Sequence, residues 1–298
     1  MMRIPDETSS ASGAGAADAG RDEVAITRPP LPKRPPRQGL VSEAFADIVA
    51  ALKRRRVWVA LASEDIGEGF RRTTLGPLWL LINYLLFLGI LIVVMGRFAD
   101  VPNYPAYIAS GLLVWLYISE ILVEGCGIFT REEGFIKGTV LPLSIYVLRQ
   151  TMRSVIRGGY MVAGAAIVLL WTGAIPTTLW LTSLGGILVL VLTAPAVIIL
   201  LGILGVIFPD IQFFMGNIIR VGFFVTPIFW SKPSESGLRA LLYQWNPFTY
   251  YLDIVRTPII FDTIALHSWA MVGLMSGGLW IAAILALGYY RRRIVFMI

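Results

Sequence analysis

Apolar residues in this chain gather into long runs, separated by short polar or basic stretches. The runs cover residues 76–96, 107–129, 179–208, 211–230 and 269–290, with a further one that begins as a polar helix at Ser144 and is fully apolar from Tyr160 to Trp171. Crossing a bilayer takes about 20 helical residues at 1.5 Å each. Backbone groups in lipid must be satisfied within their own segment, so these runs predict six transmembrane helices. Pro77 opens the first at a favourable helix-start position. The fourth is longer than a bilayer needs, so it is expected to tilt or break at Pro195. Residues 231–267 do not span, yet they hold Tyr243, Trp245, Phe248, Tyr250 and Tyr251. That content predicts external re-entrant or interfacial helices between spans five and six.

Ahead of the first span, Phe45, Ile48, Val49 and Leu52 recur at helical spacing within residues 41–62, and Lys53-Arg54-Arg55-Arg56 follow them. This predicts an amphipathic helix in the membrane interface, its cations toward anionic headgroups. A helix packed on another protein domain is the plainer alternative. Residues 1–40 are rich in Ala, Gly and Ser and then read Pro29-Pro30-Leu31-Pro32-Lys33-Arg34-Pro35-Pro36-Arg37. They predict a disordered, partly polyproline cytoplasmic tail, with an SH3-type ligand as the less favoured reading. They lack an apolar core segment, so no cleaved leader is expected. The chain thus divides into a tail (1–40), an interfacial helix with its connector (41–75) and a six-span domain (76–298).

Composition supports the membrane reading. Of 298 residues 56% are hydrophobic and 15% charged, with mean hydropathy +0.72, whereas soluble domains carry about 25% charged residues. Charge then sets orientation. Twelve Lys or Arg precede residue 77; Arg131, Lys137, Arg149, Arg153 and Arg157 flank the second–third connection, and Arg291, Arg292 and Arg293 follow the last span. With both ends in the cytoplasm, only Arg97, Lys232, Arg239 and Arg256 fall outside. The net charge of +6 is therefore a topology signal and not evidence for nucleic-acid binding. A lone Cys126 and a lone His267 make neither an internal disulfide nor a protein metal site expected.

Ionisable groups inside spans need partners or roles. Glu120 and Glu124 lie one turn apart on the second span, and Arg149, Arg153 and Arg157 repeat every four residues on the third. An antiparallel hairpin turning near residue 136 would set Glu120 beside Arg153 and Glu124 beside Arg149. Interhelical ion pairing is the favoured reading over a part in substrate passage. On the fifth span Asp210, Phe213, Asn217, Arg220 and Phe224 share one helical face. Trp79, Asn83 and Phe87 on the first span, and Ser110, Tyr117 and Glu124 on the second, form smaller stripes. Aromatic rings beside amides and hydroxyls suit sugars, so these residues are candidate channel lining; helix packing with buried polar groups has equal weight. Arg220 would contact an anionic group or pair with Asp210.

Enzyme signatures are missing. No Walker A loop and no H-E-x-x-H occur. Glu132-Glu133 lies in a cytosolic connection, and no soluble stretch could house a glycosyl-transfer site. A secondary transporter would need a coupling-ion site, for which only Asp210 and Arg220 offer material. The connection Thr130-Arg131-Glu132-Glu133-Gly134-Phe135-Ile136-Lys137-Gly138 is different. It predicts a short helix exposing the apolar pair Phe135-Ile136 to the cytosol, which a solvated turn would not need.

Four places resemble the permease subunit of ABC-2 type polysaccharide exporters, the O-antigen and capsule export family. These are residues 70–79 with Leu75-Gly76-Pro77-Leu78-Trp79; residues 107–115 with Tyr107, Gly111, Leu112 and Trp115; Phe224-Val225-Thr226-Pro227-Ile228-Phe229-Trp230; and Asn246-Pro247 with Arg256. The resemblance covers about residues 40–298 in order. One departure is Pro209-Asp210, where the family commonly has Arg-Asp. The resemblance implies a homodimer with two copies of a separate ATPase, which would bind ATP and Mg, in a bacterial inner membrane. The cargo would be a polysaccharide on an undecaprenyl diphosphate carrier, and this chain would hold no cofactor and catalyse nothing. Arg131, Glu132, Glu133, Phe135, Ile136 and Lys137 would dock in the ATPase, helped by Arg54 and Arg55 of the interfacial helix. Thr226, Pro227, Asn246, Pro247, Tyr250 and Arg256 would form an outer gate. A drug or small-lipid exporter of the same fold is the nearest rival.

Overall fold

The structure is a computed structural model that describes residues 39–96, 101–231 and 237–298. The tail expected over residues 1–40 falls outside them except at Gly39 and Leu40, and so do Arg97 and Lys232. Among the described residues every regular element is a helix.

The amphipathic segment is two helices and not one: α1 (Leu40–Lys53) and α2 (Arg55–Gly69), broken at Arg54. Consecutive cations suit the negative end of a helix dipole, so they close α1 and disfavour continuation. Ala44, Asp47 and Ala51 of α1 are buried, while Val41, Phe45, Val49 and Leu52 are exposed. The small residues let α1 lie close against its neighbours and turn its apolar side outward.

Gly76 then takes a left-handed φ of 55°, a turn only glycine makes freely, and Pro77 starts α3 (Leu78–Met95). α4 (Tyr104–Cys126) is buried along most of its length and packs against α3 and four later helices. Two short helices, α5 (Ile128–Arg131) and α6 (Glu133–Gly138), lead to α7 (Ser144–Trp171). α8 (Trp180–Ile207) runs unbroken through Pro195, so of the expected tilt or break the break does not occur. Trp280 donates its indole N–H to the Leu192 carbonyl at 3.0 Å, close to that proline. α9 (Ile211–Val225) is followed by α10 (Leu238–Trp245), α11 (Pro247–Ile260) and the long α12 (Leu266–Met297).

Five of these helices, α3, α4, α7, α8 and α12, are long and apolar enough to cross a membrane. The chain is an integral membrane protein. The fifth predicted span differs: α9 has 15 residues, about 22 Å against a hydrocarbon core of about 30 Å. Thr226-Pro227 stops it, because the residue before proline is held extended. Even so, Gln212 packs on Gly127 at one end of α4, and the chain after α9 reaches Tyr104 and Tyr107 at the other.

Helix ends cluster. Asn103, before α4, donates to Thr172, after α7, and Thr177, before α8, donates to Asp262, after α11. At the opposite end Arg291 pairs with Asp47 at 3.0 Å and Arg292 with Glu43. Lys137 donates to the Ile298 carbonyl at 2.6 Å. The first described helix and the end of α12 therefore meet on one side of the bundle. Asp47 also accepts from the Ser144 backbone N–H and hydroxyl, at 2.9 and 2.7 Å, and so caps α7.

Candidate functional site

The α4–α7 ion pairs form one turn away from the predicted register. Glu124 pairs with Arg153 at 2.8 Å and with Arg131, and Glu120 pairs with Arg157 at 3.3 Å. Arg149 pairs instead with Asp65 of α2 and with Glu132 between α5 and α6. The cause is overhang: α7 starts before the level where α4 ends, so its first turns pack on α1 and α2. A midpoint drawn through the connection misses that extension. Ser154 adds a hydroxyl to Glu120 at 3.0 Å.

In the connection, Arg149 forms a hub. Its Nε and Nη2 reach Asp65 at 2.8 and 2.6 Å, and its Nη1 reaches Glu132 at 2.8 Å. This ties α2, the α5–α6 junction and α7 together, and Asp65 is a member that sequence spacing did not identify. Phe135 is 56% exposed, whereas Ile136 is 7% exposed. The expected exposed pair is thus one exposed ring with its neighbour turned into the core. Lys137 holds Glu133 at 2.6 Å. Arg54 and Arg55 are exposed.

Trp79, Asn83 and Phe87 are exposed along α3. Phe213, Asn217, Arg220 and Phe224 are exposed along α9, as is Asp210 just before it. Phe87 meets Phe223 of α9 with centroids 5.7 Å apart, and Phe223 in turn meets Phe224 of the α9 stripe at 5.4 Å. Behind them Trp115 of α4 packs against Phe223 at 6.5 Å, and its ring fills the space a side chain on Gly222 would take. Ser110 and Tyr117 are placed differently: both are buried inside the chain, and Ser110 bonds to its own helix at the Tyr107 carbonyl. Their helical face belongs to α4, which is enclosed on nearly all sides.

The segment expected to be an outer gate is a bent, non-helical strap, residues 226–230, whose carbonyls from Pro227 to Trp230 are taken one after another by side chains. Arg256 Nη1 donates to Pro227 O at 2.6 Å and Nη2 to Ile228 O at 3.1 Å. Tyr104 and Tyr107 hydroxyls donate to Phe229 O and Trp230 O at 3.0 and 2.9 Å. Arg256 is 2% exposed and lies 3.8 Å over the Tyr107 ring. It fits because Gly111 has no side chain, and a methyl there would overlap its guanidinium. Asn246 caps α11 by accepting from Phe248 N at 2.9 Å and donates to Thr226 at 2.8 Å. Pro247 opens α11 and is exposed, and Tyr250 donates to Gln244 O at 2.6 Å. Arg256, counted from sequence among the charges on the outer side, is buried within the protein.

These features define an integral membrane protein that presents polar and aromatic side chains from within its apolar helices. No family model matches the chain. It is similar to the O-antigen export system permease protein RfbA of Klebsiella pneumoniae, 24% identical over 63% of this chain and 74% of the relative. It is also similar to the protein of the same name from Myxococcus xanthus, 26% identical over 65% and 76%. The polysialic acid transport protein KpsM of Escherichia coli is 24% identical over 73% and 88%. The proteins it is similar to are thus named as O-antigen export permeases and a polysialic acid transport protein.

Proposed function

We propose that this chain is the membrane subunit of an ATP-driven exporter, moving a polysaccharide on a polyprenyl diphosphate carrier across the bacterial inner membrane. The observation that carries this reading is the pair of exposed polar and aromatic stripes on α3 and α9, linked through Phe87 and Phe223. Asn217 and Arg220 cannot face hydrocarbon without a large cost, and a second copy closing over this face would give them a polar path lined by Trp79, Phe87, Phe213 and Phe224. Sugar rings would slide along such a surface by stacking and by exchanging hydroxyl hydrogen bonds. In this reading α9 with its strap makes a sixth crossing, both chain ends lie in the cytoplasm, and two ATPase subunits supply ATP and Mg. Phe135 would seat in a cleft of each ATPase. The Arg149 hub would pass that push to α2 and α7.

Cysteines placed at Asn217 and Asn83 test the reading. Disulfide formation between copies at either site, together with loss of export in Arg220→Ala at unchanged protein level, is the expected result. Export unaffected by Arg220→Ala, or export that proceeds without any ATPase, would refute it.

A further inference from the structure

A cavity of about 580 Å³ opens within the helix bundle, walled by α4, α8, α11 and α12. Its sides are apolar and include Ile118, Leu122, Ala194, Val197, Phe248 and Leu279. Three lining residues carry hydroxyls. Thr193 spends its proton on Val189 O at 2.7 Å and Tyr251 meets Ser276 at 2.9 Å, which leaves them little more than acceptor lone pairs to offer. Tyr117 is left, buried and with no hydrogen-bond partner among the described residues. Each buried water needs two to four polar partners, and three hydroxyls on an otherwise apolar wall cannot hold the water that a space of this size would take. Left empty, the lining would forfeit contacts across a void far larger than protein interiors keep. Leu122, Val197, Leu200 and Leu279 are half-buried, so the mouth lies among apolar helix surfaces at bilayer depth, where hydrocarbon is the solvent.

We propose that this cavity holds one fatty acyl chain of a membrane phospholipid. Its volume, at about 30 Å³ per water-sized group, accommodates on the order of 20 chain carbons. That matches a single acyl chain. A polyprenyl carrier is several times longer and branched at every fourth carbon. Tyr117 also lines a second cavity of about 230 Å³ between α4, α7 and α8, and with Leu190 it forms the wall that ends the chain's path. The inference rests on the chain spanning a bilayer and not on the transport reading.

The full chain, reconstituted in vesicles containing a phosphatidylglycerol with a photoactivatable diazirine in one acyl chain, is irradiated and its peptides mapped. Label is expected in residues 118–122 and 190–201. Val197→Phe at the rim and Ala194→Phe inside should each reduce it several-fold, with label on the exposed Val93 face of α3 unchanged. Val197→Phe sits where a larger ring can turn outward, so it remains informative if Ala194→Phe fails to fold. Equal cavity label in wild type and Val197→Phe, or label only on α3, would overturn the proposal. So would displacement of the label by unlabelled polyprenyl phosphate, which would assign the site to that lipid, or a disulfide between two copies of Leu279→Cys, which would show the mouth covered by protein.

Discussion

Replacing Arg149 by Ala removes one cation from between two carboxylates, one on α2 and one at the α5–α6 junction. Losing one partner of a fully buried pair costs about 3–5 kcal/mol. Arg149 is 15% exposed, with Asp65 at 17% and Glu132 at 16%, so solvent trims the expected loss to about 2–4 kcal/mol. Asp65→Asn alone keeps the Glu132 pair and should cost less, about 1–2 kcal/mol, the worth of one charge-assisted contact. Arg149→Lys keeps the charge but loses the two-pronged grip on Asp65, and it should fall between them. The assay is unfolding of the detergent-solubilised chain. The decisive variant is Arg149→Ala combined with Asp65→Asn and Glu132→Gln, which removes the stranded charges. If the hub is electrostatic, the triple variant recovers at least half of what the single one loses. A triple variant no more stable than Arg149→Ala, or a single variant within error of wild type, refutes the reasoning.

Swapping Glu124→Arg with Arg153→Glu should restore most of the stability that either single change removes, about 1–2 kcal/mol, because a carboxylate at 153 would still face cations from both sides; the thermal midpoints of the three variants decide. Phe135→Ala should leave stability unchanged and abolish stimulation of the partner ATPase, whereas Ile136→Ala should destabilise by about 2–4 kcal/mol, and melting curves beside ATPase rates separate the two. Gly205→Ala drives a methyl into the Cys126 carbonyl, and Gly111→Ala into the Arg256 guanidinium; each should cost about 3 kcal/mol or more, while Gly89→Ala, with open space around it, leaves the midpoint near wild type. Tyr243 donates to both oxygens of Asp253 at 2.9 Å, and burial first, then that carboxylate, raise its phenol above the ordinary 10.0. Its protonated form is favoured in the folded state, so this stability is complete below pH 10.0 and falls as pH rises above it; in Tyr243→Phe the alkaline decline should be smaller.

Much of the fold is legible in the sequence because lipid leaves so few options: an apolar run of sufficient length must be a helix. The stripes of α3 and α9 were legible for the same reason, since Asn83, Asn217 and Arg220 stand out against an apolar background. Partner choice was not. Glu124 could have met Arg149, Arg153 or Arg157 at equal sequence cost, and the outcome depends on how far α7 projects past α4. That projection is set by Asp47, which caps α7 from α1 and reads in sequence as an ordinary surface acid. Ser110 and Tyr117 resemble channel residues by type and spacing, but whether a stripe faces a pore or a neighbour depends on how many helices surround it. α4 is enclosed and α9 is not.

The strap at residues 226–230 and the fully buried Arg256 explain one another. A helix that stops at Val225 leaves non-helical backbone among buried residues, Thr226, Pro227 and Ile228, and each unmet carbonyl there costs several kcal/mol. Satisfying successive carbonyls takes donors at several positions, and α4 supplies two with Tyr104 and Tyr107 while α11 supplies the forked pair of Arg256. A lysine could not span Pro227 O and Ile228 O with a fixed fork. The fork requires room against α4, which is why residue 111 is glycine. This arrangement adds backbone acceptors to the ring packing of Trp115 on Phe223 and Phe248 that already binds α4 to α9 and α11. The strap is also anchored by its own side chain, since Ile228 is fully buried beside Arg256, so loosening it would disturb both the hydrogen bonds and the packing around them.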